Sequence, residues 1–233
     1  MPIHLHPTTS LAERVLLPGD PGRALLLAQS LLDAPLMFNH HRGLWGYTGT
    51  APDGEPLTVQ STGMGGPSAA IVVTELAELG ARRLIRVGTC GALDGSLALG
   101  DLVIVTAAVP HDGTSRALGA AGPLTPDREL LDALRDAAAA RSAGVARRIH
   151  TGQVLSSDLF YDTPEDGAAA EALAVEMETA TLFAVAERRD LRTASVLLVS
   201  DLLAPTRTRI SEEALRAGER ALGALAADAL TRA

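Results

Sequence analysis

Leu84-Ile85-Arg86-Val87-Gly88-Thr89-Cys90-Gly91 is an apolar run that carries a single arginine and closes on glycines. Its first four residues are apolar enough to form a buried strand, and a guanidinium there must meet an anion or bear a heavy desolvation cost. Gly88, Thr89 and Gly91 then fall at the strand's carboxyl end, where open α/β sheets usually bind their ligands. A structural salt bridge is the plainer reading of Arg86. A second glycine turn, Pro18-Gly19-Asp20-Pro21-Gly22-Arg23, follows another apolar run. Taken alone it is an ordinary strand-to-helix loop with a solvated arginine. Together the two segments read as halves of one oxyanion site, because glycines let backbone N–H groups approach a ligand while guanidiniums supply planar forks of donors.

Working outward, the runs Arg14 to Leu17, Leu57 to Gln60, Leu84 to Val87, Leu102 to Val109 and Ala194 to Val199 predict buried strands. Helical spacing fills Pro67 to Leu79, which Gly80 stops, and Asp127 to Ala140, which Asp127 caps; Ser211 with Glu212 and Glu213 opens the last helix. Gly46 to Gln60, broken by Pro52-Asp53-Gly54, predicts an antiparallel hairpin. His111 to Pro126, rich in Gly, Ala, Thr and Pro, is expected to be a long surface loop. The alternation predicts an α/β fold in a single domain spanning residues 1–233, with a mostly parallel or mixed sheet covered by helices.

Bulk composition agrees, since 233 residues at 47% hydrophobic and 21% charged can bury one large core. A net charge of -8 argues against a nucleic-acid or membrane-surface partner, either of which favours a basic footprint. The lone Cys90 forbids an internal disulfide, and with no leader-like opening and no membrane-length apolar stretch the expected location is the cytoplasm. The adjacent His40-His41 pair lacks a cysteine or carboxylate at ligand spacing, so no metal is expected.

Two further segments carry acids. Val175-Glu176-Met177-Glu178-Thr179-Ala180 sets two carboxylates at the start of a helical stretch, where plain capping is the simpler reading. Val196-Leu197-Leu198-Val199-Ser200-Asp201 ends a buried run with a serine and an acid placed to donate a proton to a leaving group.

These segments together resemble the nucleoside phosphorylases of the trimeric-to-hexameric type, the family of purine nucleoside, uridine and methylthioadenosine phosphorylases. The resemblance runs in order through Val15 to Pro21, Asn39 to Gly43, Thr62 to Ser68, Arg86 to Ala92, Ser156 to Tyr161, Val175 to Glu178 and Val199 to Asp201. It implies a central, partly barrel-like twisted mixed sheet flanked by helices. It also implies phosphate held by Gly19, Arg23, Arg86 and Thr89, with Arg42 lent by a neighbouring subunit. Glu178 would accept hydrogen bonds from the ribose hydroxyls beside Met64 and Met177, with His4 capping the sugar across the interface. Phe160 would stack on the base, with Cys90, Gly91, Val175, Glu176 and Ser200 around it. Asp201 would be the catalytic acid.

The activity so implied is phosphorolysis of purine ribonucleosides to free base and ribose 1-phosphate, with inorganic phosphate as co-substrate and no cofactor. 5′-Methylthioadenosine falls within the same reading. The uridine branch carries a glutamine and an arginine after its phenylalanine, whereas Phe160 is followed by Tyr161-Asp162-Thr163-Pro164. The purine branch has an arginine beyond the aspartate that assists proton transfer, and Arg209 and Arg216 stand at a different spacing. The alternatives are a uridine phosphorylase, a nucleosidase that uses water, and a non-catalytic sensor that kept the fold. A site needing Arg42 and His4 from a neighbour implies a homo-oligomer, at least a dimer, with a hexamer of three dimers as the family's form.

Overall fold

Strand residues alternate between two cores, and that alternation builds the layers. In the computed structural model, which describes residues 2–141, 148–162 and 171–233, β1 (Arg14–Leu17) sends Val15 and Leu17 to one side and Leu16 to the other. Val15 and Leu17 pack with Val72, Val73 and Leu76 of α2 (Gly66–Leu79) and with Leu182 and Phe183 of α5 (Thr179–Arg189). Leu16 packs with Leu27 of α1 (Pro21–Leu31), Leu130 and Leu134 of α4 (Arg128–Arg141), and Leu222 and Leu225 of α6 (Glu212–Arg232). Helices therefore cover both faces, as period-two burial of strands on both sides requires.

The remaining strands are β2 (Asp33–Asn39), β3 (Gly46–Thr50), β4 (Pro56–Gln60), β5 (Arg83–Ala92), β6 (Leu102–His111), β7 (Ile149–Ser157), β8 (Ala174–Glu176), β9 (Arg192–Leu202) and β10 (Thr208–Arg209). They form one ten-stranded sheet in the order β10-β9-β6-β7-β8-β5-β1-β4-β3-β2. A further parallel pairing of β5 with β9 closes the ring β9-β6-β7-β8-β5, which makes the sheet partly a barrel. The expected hairpin is present as antiparallel β3 and β4.

Three expectations are corrected. Gly88 to Gly91 do not form a turn: β5 runs through them to Ala92, paired with β9 and shifted in register only between Cys90 and Gly91. The glycine at 88 serves close approach instead, since a Cβ there would lie 2.7 Å from Arg86 Nη2 and 2.9 Å from Leu197 Cδ2. His111 to Pro126 is not simply a surface loop. Asp112 caps a short helix α3 (Gly113–Ala117), accepting from Ser115 N at 2.7 Å, and Leu124 bridges to Ala108. Glu176 does not open the helix but ends β8, and it caps α5 from outside by accepting from Thr179 N at 3.0 Å.

Candidate active site

Four chain segments converge at the carboxyl ends of β1, β5 and β9. The turn after β1 starts α1, where Asp20 accepts from Arg23 N at 2.7 Å and so fixes the first helical turn. The end of β5 contributes Thr89, Cys90 and Gly91, the end of β9 contributes Ser200 and Asp201, and the link from β8 to α5 contributes Met177 and Glu178. Between them lies a cavity of about 360 Å³. Of the site residues expected from sequence, Gly19, Arg23, Met64, Arg86, Thr89, Cys90, Gly91, Phe160, Val175, Glu176, Met177, Glu178, Ser200 and Asp201 all line it.

The basic end is built around Arg86. Its Nη2 lies 2.9 Å from Glu176 Oε2 and 2.5 Å from Glu178 Oε2, and its Nε donates to Glu176 at 3.0 Å. Arg23 donates from Nε to Glu219 at 2.7 Å and from Nη1 to the Val87 carbonyl at 3.3 Å. Both guanidiniums hold protein carboxylates, the plainer partner considered for Arg86. Burial alone would lower the Arg86 pKa, but Glu178 and Glu176 outweigh it and hold the guanidinium charged.

The two carboxylates differ. Glu176 also accepts from Ser156 Oγ and from the N–H groups of Glu178 and Thr179, so its oxygens are occupied by fixed donors. Glu178 accepts, apart from Arg86, from Gly65 N at 2.6 Å. Burial pushes the Glu178 carboxyl up and neighbouring Glu176 adds to this, against the pull of Arg86. One cation shared by two acids leaves the less well hydrogen-bonded acid as the one under pressure, although the same contact raises Arg86.

The acidic end is Asp201. Its Oδ2 accepts from Ser200 Oγ at 2.7 Å, and its Oδ1 lies 3.2 Å from Arg209 Nε. That second contact is an ion pair without an aligned hydrogen bond, since Oδ1 is buried and receives no directed donor. The pair exists because β10 lies antiparallel on β9 with Arg209 opposite Asp201. Arg216 pairs with Glu212 on the exposed face of α6. Burial keeps the Cys90 thiol protonated, its pKa raised also by Glu176.

Residues 13–231 match the Phosphorylase superfamily. The chain belongs to that superfamily. A purine nucleoside phosphorylase of the DeoD type from Geobacillus kaustophilus is 39% identical over 220 residues, 91% of each chain. A guanosine phosphorylase from Halorubrum lacusprofundi is 38% identical over 192 residues, which are 80% of this chain and 77% of that one. Among solved structures, a uridine phosphorylase from Vibrio fischeri matches with a TM-score of 0.85 at 28% identity, covering 100% of this chain and 99% of that one. The phosphorylase membership and fold implied by the seven sequence blocks are borne out.

Two residues tied to the phosphorylase site by sequence lie outside the cavity. Arg42 is exposed in a 3-10 turn (His41–Gly43) with φ of 58°, and His4 Nδ1 sits 2.8 Å from Glu75 Oε1 on α2. They share one surface, because His41 Nδ1 lies 3.0 Å from the His4 carbonyl oxygen. No helix among the described residues is long and apolar enough to cross a membrane.

Sequence reading missed Leu203 and Arg207, which also line the cavity. Arg207 donates to the Phe160 carbonyl at 3.0 Å and places its guanidinium 4.5 Å from the Phe160 ring centroid. The available signal was the spacing in Arg207-Thr208-Arg209, which puts two arginines on one side of an extended segment just beyond the acid.

Proposed function

We propose that residues 1–233 work as one phosphorylase domain that cleaves purine ribonucleosides with inorganic phosphate. The observation that carries this reading is a single cavity with a shared guanidinium-carboxylate cluster at Arg86 and Glu178 and a buried acid, Asp201, elsewhere on its wall. Phosphate suits Arg23, Arg86, Thr89 and the backbone at Gly19, where charge and N–H donors converge. On its arrival Arg86 gives up Glu178 for the anion. The freed carboxylate, an acceptor only, then takes the ribose hydroxyls beside Met64 and Met177.

The base lies against Phe160, Cys90, Gly91 and Val175, with Glu176 holding Arg86 behind them. The C1′–N9 bond breaks with its electron pair moving onto the purine, while a phosphate oxygen forms the new bond to C1′ from the opposite face. Asp201 delivers its proton to N7 of the departing purine, and the products are free base and ribose 1-phosphate. Ser200 orients that carboxyl. Arg209, whose ion pair holds the carboxylate form, is the arginine that assists by stabilising Asp201 once its proton has left. Every step uses protein groups and the two substrates, with no cofactor.

His4 and Arg42 complete the site of a neighbouring copy, which makes the working unit a homodimer and its closed assembly a hexamer of three dimers. That both share one surface outside their own cavity supports this reading.

The test is base release from inosine, adenosine, methylthioadenosine and uridine, each with and without phosphate. Phosphate-dependent release of purine supports the proposal. Release without phosphate identifies a nucleosidase, preference for uridine identifies the pyrimidine branch, and no release identifies a sensor.

A further inference from the structure

Among the described residues, Arg207 beside Phe160 is a cation whose hydrogen-bonding capacity is mostly unspent. Arg207 lines the cavity and stacks its guanidinium over Phe160, with the Tyr161 ring 5.9 Å away. A guanidinium has five N–H donors and no acceptor, and the contact to the Phe160 carbonyl uses one of them. The contact holds the guanidinium over the Phe160 ring at the mouth of the cavity, with its remaining N–H groups open to solvent or to a ligand.

The acceptors lining the cavity are committed elsewhere. Glu176 receives Arg86, Ser156 and two backbone N–H groups, and Glu178 receives Arg86 and Gly65 N. Asp20 caps α1, and Asp201 takes Ser200 Oγ on Oδ2, leaving Oδ1 beside the Arg209 charge as the acceptor kept for the proposed chemistry at N7. The Cys90 thiol donates to the Leu198 carbonyl. Side-chain chemistry beside Phe160, among the described residues, therefore offers donors in excess and few open acceptors.

Purines differ at that edge. A 6-oxopurine presents O6 and N7 as adjacent acceptors, which match a guanidinium, whereas a 6-aminopurine presents N6–H donors that a guanidinium repels. We infer that Arg207 is a specificity-determining residue that selects 6-oxopurines over 6-aminopurines. The inference rests on the proposed placement of the base against Phe160. Arg207 contacts O6 while Asp201 serves N7, so the two residues divide the base edge between recognition and chemistry.

The experiment compares the wild type with Arg207→Leu and Arg207→Gln. Arg207 is exposed on a loop, so neither change disturbs the core. The ratio of kcat/KM for inosine to that for adenosine is expected to favour inosine in the wild type and to fall about tenfold or more in Arg207→Leu. In Arg207→Gln, whose amide can also accept from N6, it is expected to fall further. Affinities for hypoxanthine and adenine, measured by calorimetry on the same proteins, should shift in parallel and do not depend on turnover. A wild type that favours adenosine, or ratios that stay put in both variants, would overturn the inference even if phosphorolysis is confirmed. Hypoxanthine selectivity that depends on Arg207 in a protein that releases no base would leave the inference standing and remove the phosphorylase reading instead.

Discussion

Arg86 Nη2 and Glu178 Oε2 meet at 2.5 Å on the wall of the cavity, a buried ion pair in which the cation also serves Glu176. In the proposed cycle this contact is the latch that couples the two substrates, since the phosphate that takes Arg86 releases Glu178 for the sugar. Nucleoside affinity is therefore expected to rise when phosphate is present. Calorimetric titration of a nucleoside with and without phosphate checks this, and equal affinities would break the coupling.

Arg86→Ala removes the shared cation and leaves two buried acids facing each other. Breaking a buried pair in this way costs about 3–5 kcal/mol, so melting should fall even where the protein still folds. Arg86→Lys keeps charge but loses the fork, and its KM for phosphate should rise at least tenfold on the order of a lost bidentate contact. A saturation curve for phosphate unchanged in the lysine variant would count against the anion site.

Asp201→Asn leaves shape intact but cannot deliver a proton. Turnover of inosine should drop by about a hundredfold or more. An N7-methylated nucleoside already carries its positive charge on the base, so its cleavage needs no proton and should drop far less. Equal losses on both substrates would remove Asp201 from the acid role.

Gly88 lies beside Arg86, where an added Cβ would fall 2.7 Å from Nη2 and 2.8 Å from Cζ. Gly88→Ala should destabilise by about 1–3 kcal/mol, as overpacking commonly does, and should weaken phosphate binding by turning the guanidinium aside. Chemical denaturation and a phosphate titration read the two effects separately.

Glu75, buried on α2, accepts from the N–H groups of Ile3, His4 and Leu5 and from His4 Nδ1. Burial opposes ionisation there, yet His4 and those backbone donors win and bring its pKa from 4.5 down to about 2. A depressed folded value means the contribution is whole above pH 4.5 and drains away as pH falls toward 2. It amounts to at most about 3 kcal/mol at neutral pH, and less where water reaches His4. Glu75→Gln should flatten the stability profile between pH 5 and 2, and an unchanged slope would assign the acid sensitivity elsewhere.

The strands with long branched runs were legible because both faces are buried: Arg14–Leu17 was read to the residue, β5 was found in its first half, and β9 was found through its centre. β7 escaped because His150-Thr151-Gly152-Gln153 interrupts its apolar pattern, and β2 because much of it is exposed. The cavity wall was legible where glycine, arginine and acid fall at strand ends. The pairing of Arg209 with Asp201 was not, because it depends on a two-residue strand folding back, which no local periodicity announces. Arg207 was hidden for the same reason, its partner Phe160 lying far away in sequence.

The most direct test of the central claim is phosphorus NMR of the purified protein with inosine and inorganic phosphate. The account predicts that the phosphate resonance falls as a ribose 1-phosphate resonance grows in step with free hypoxanthine. Hypoxanthine released while the phosphate signal stays constant and free ribose accumulates would contradict it.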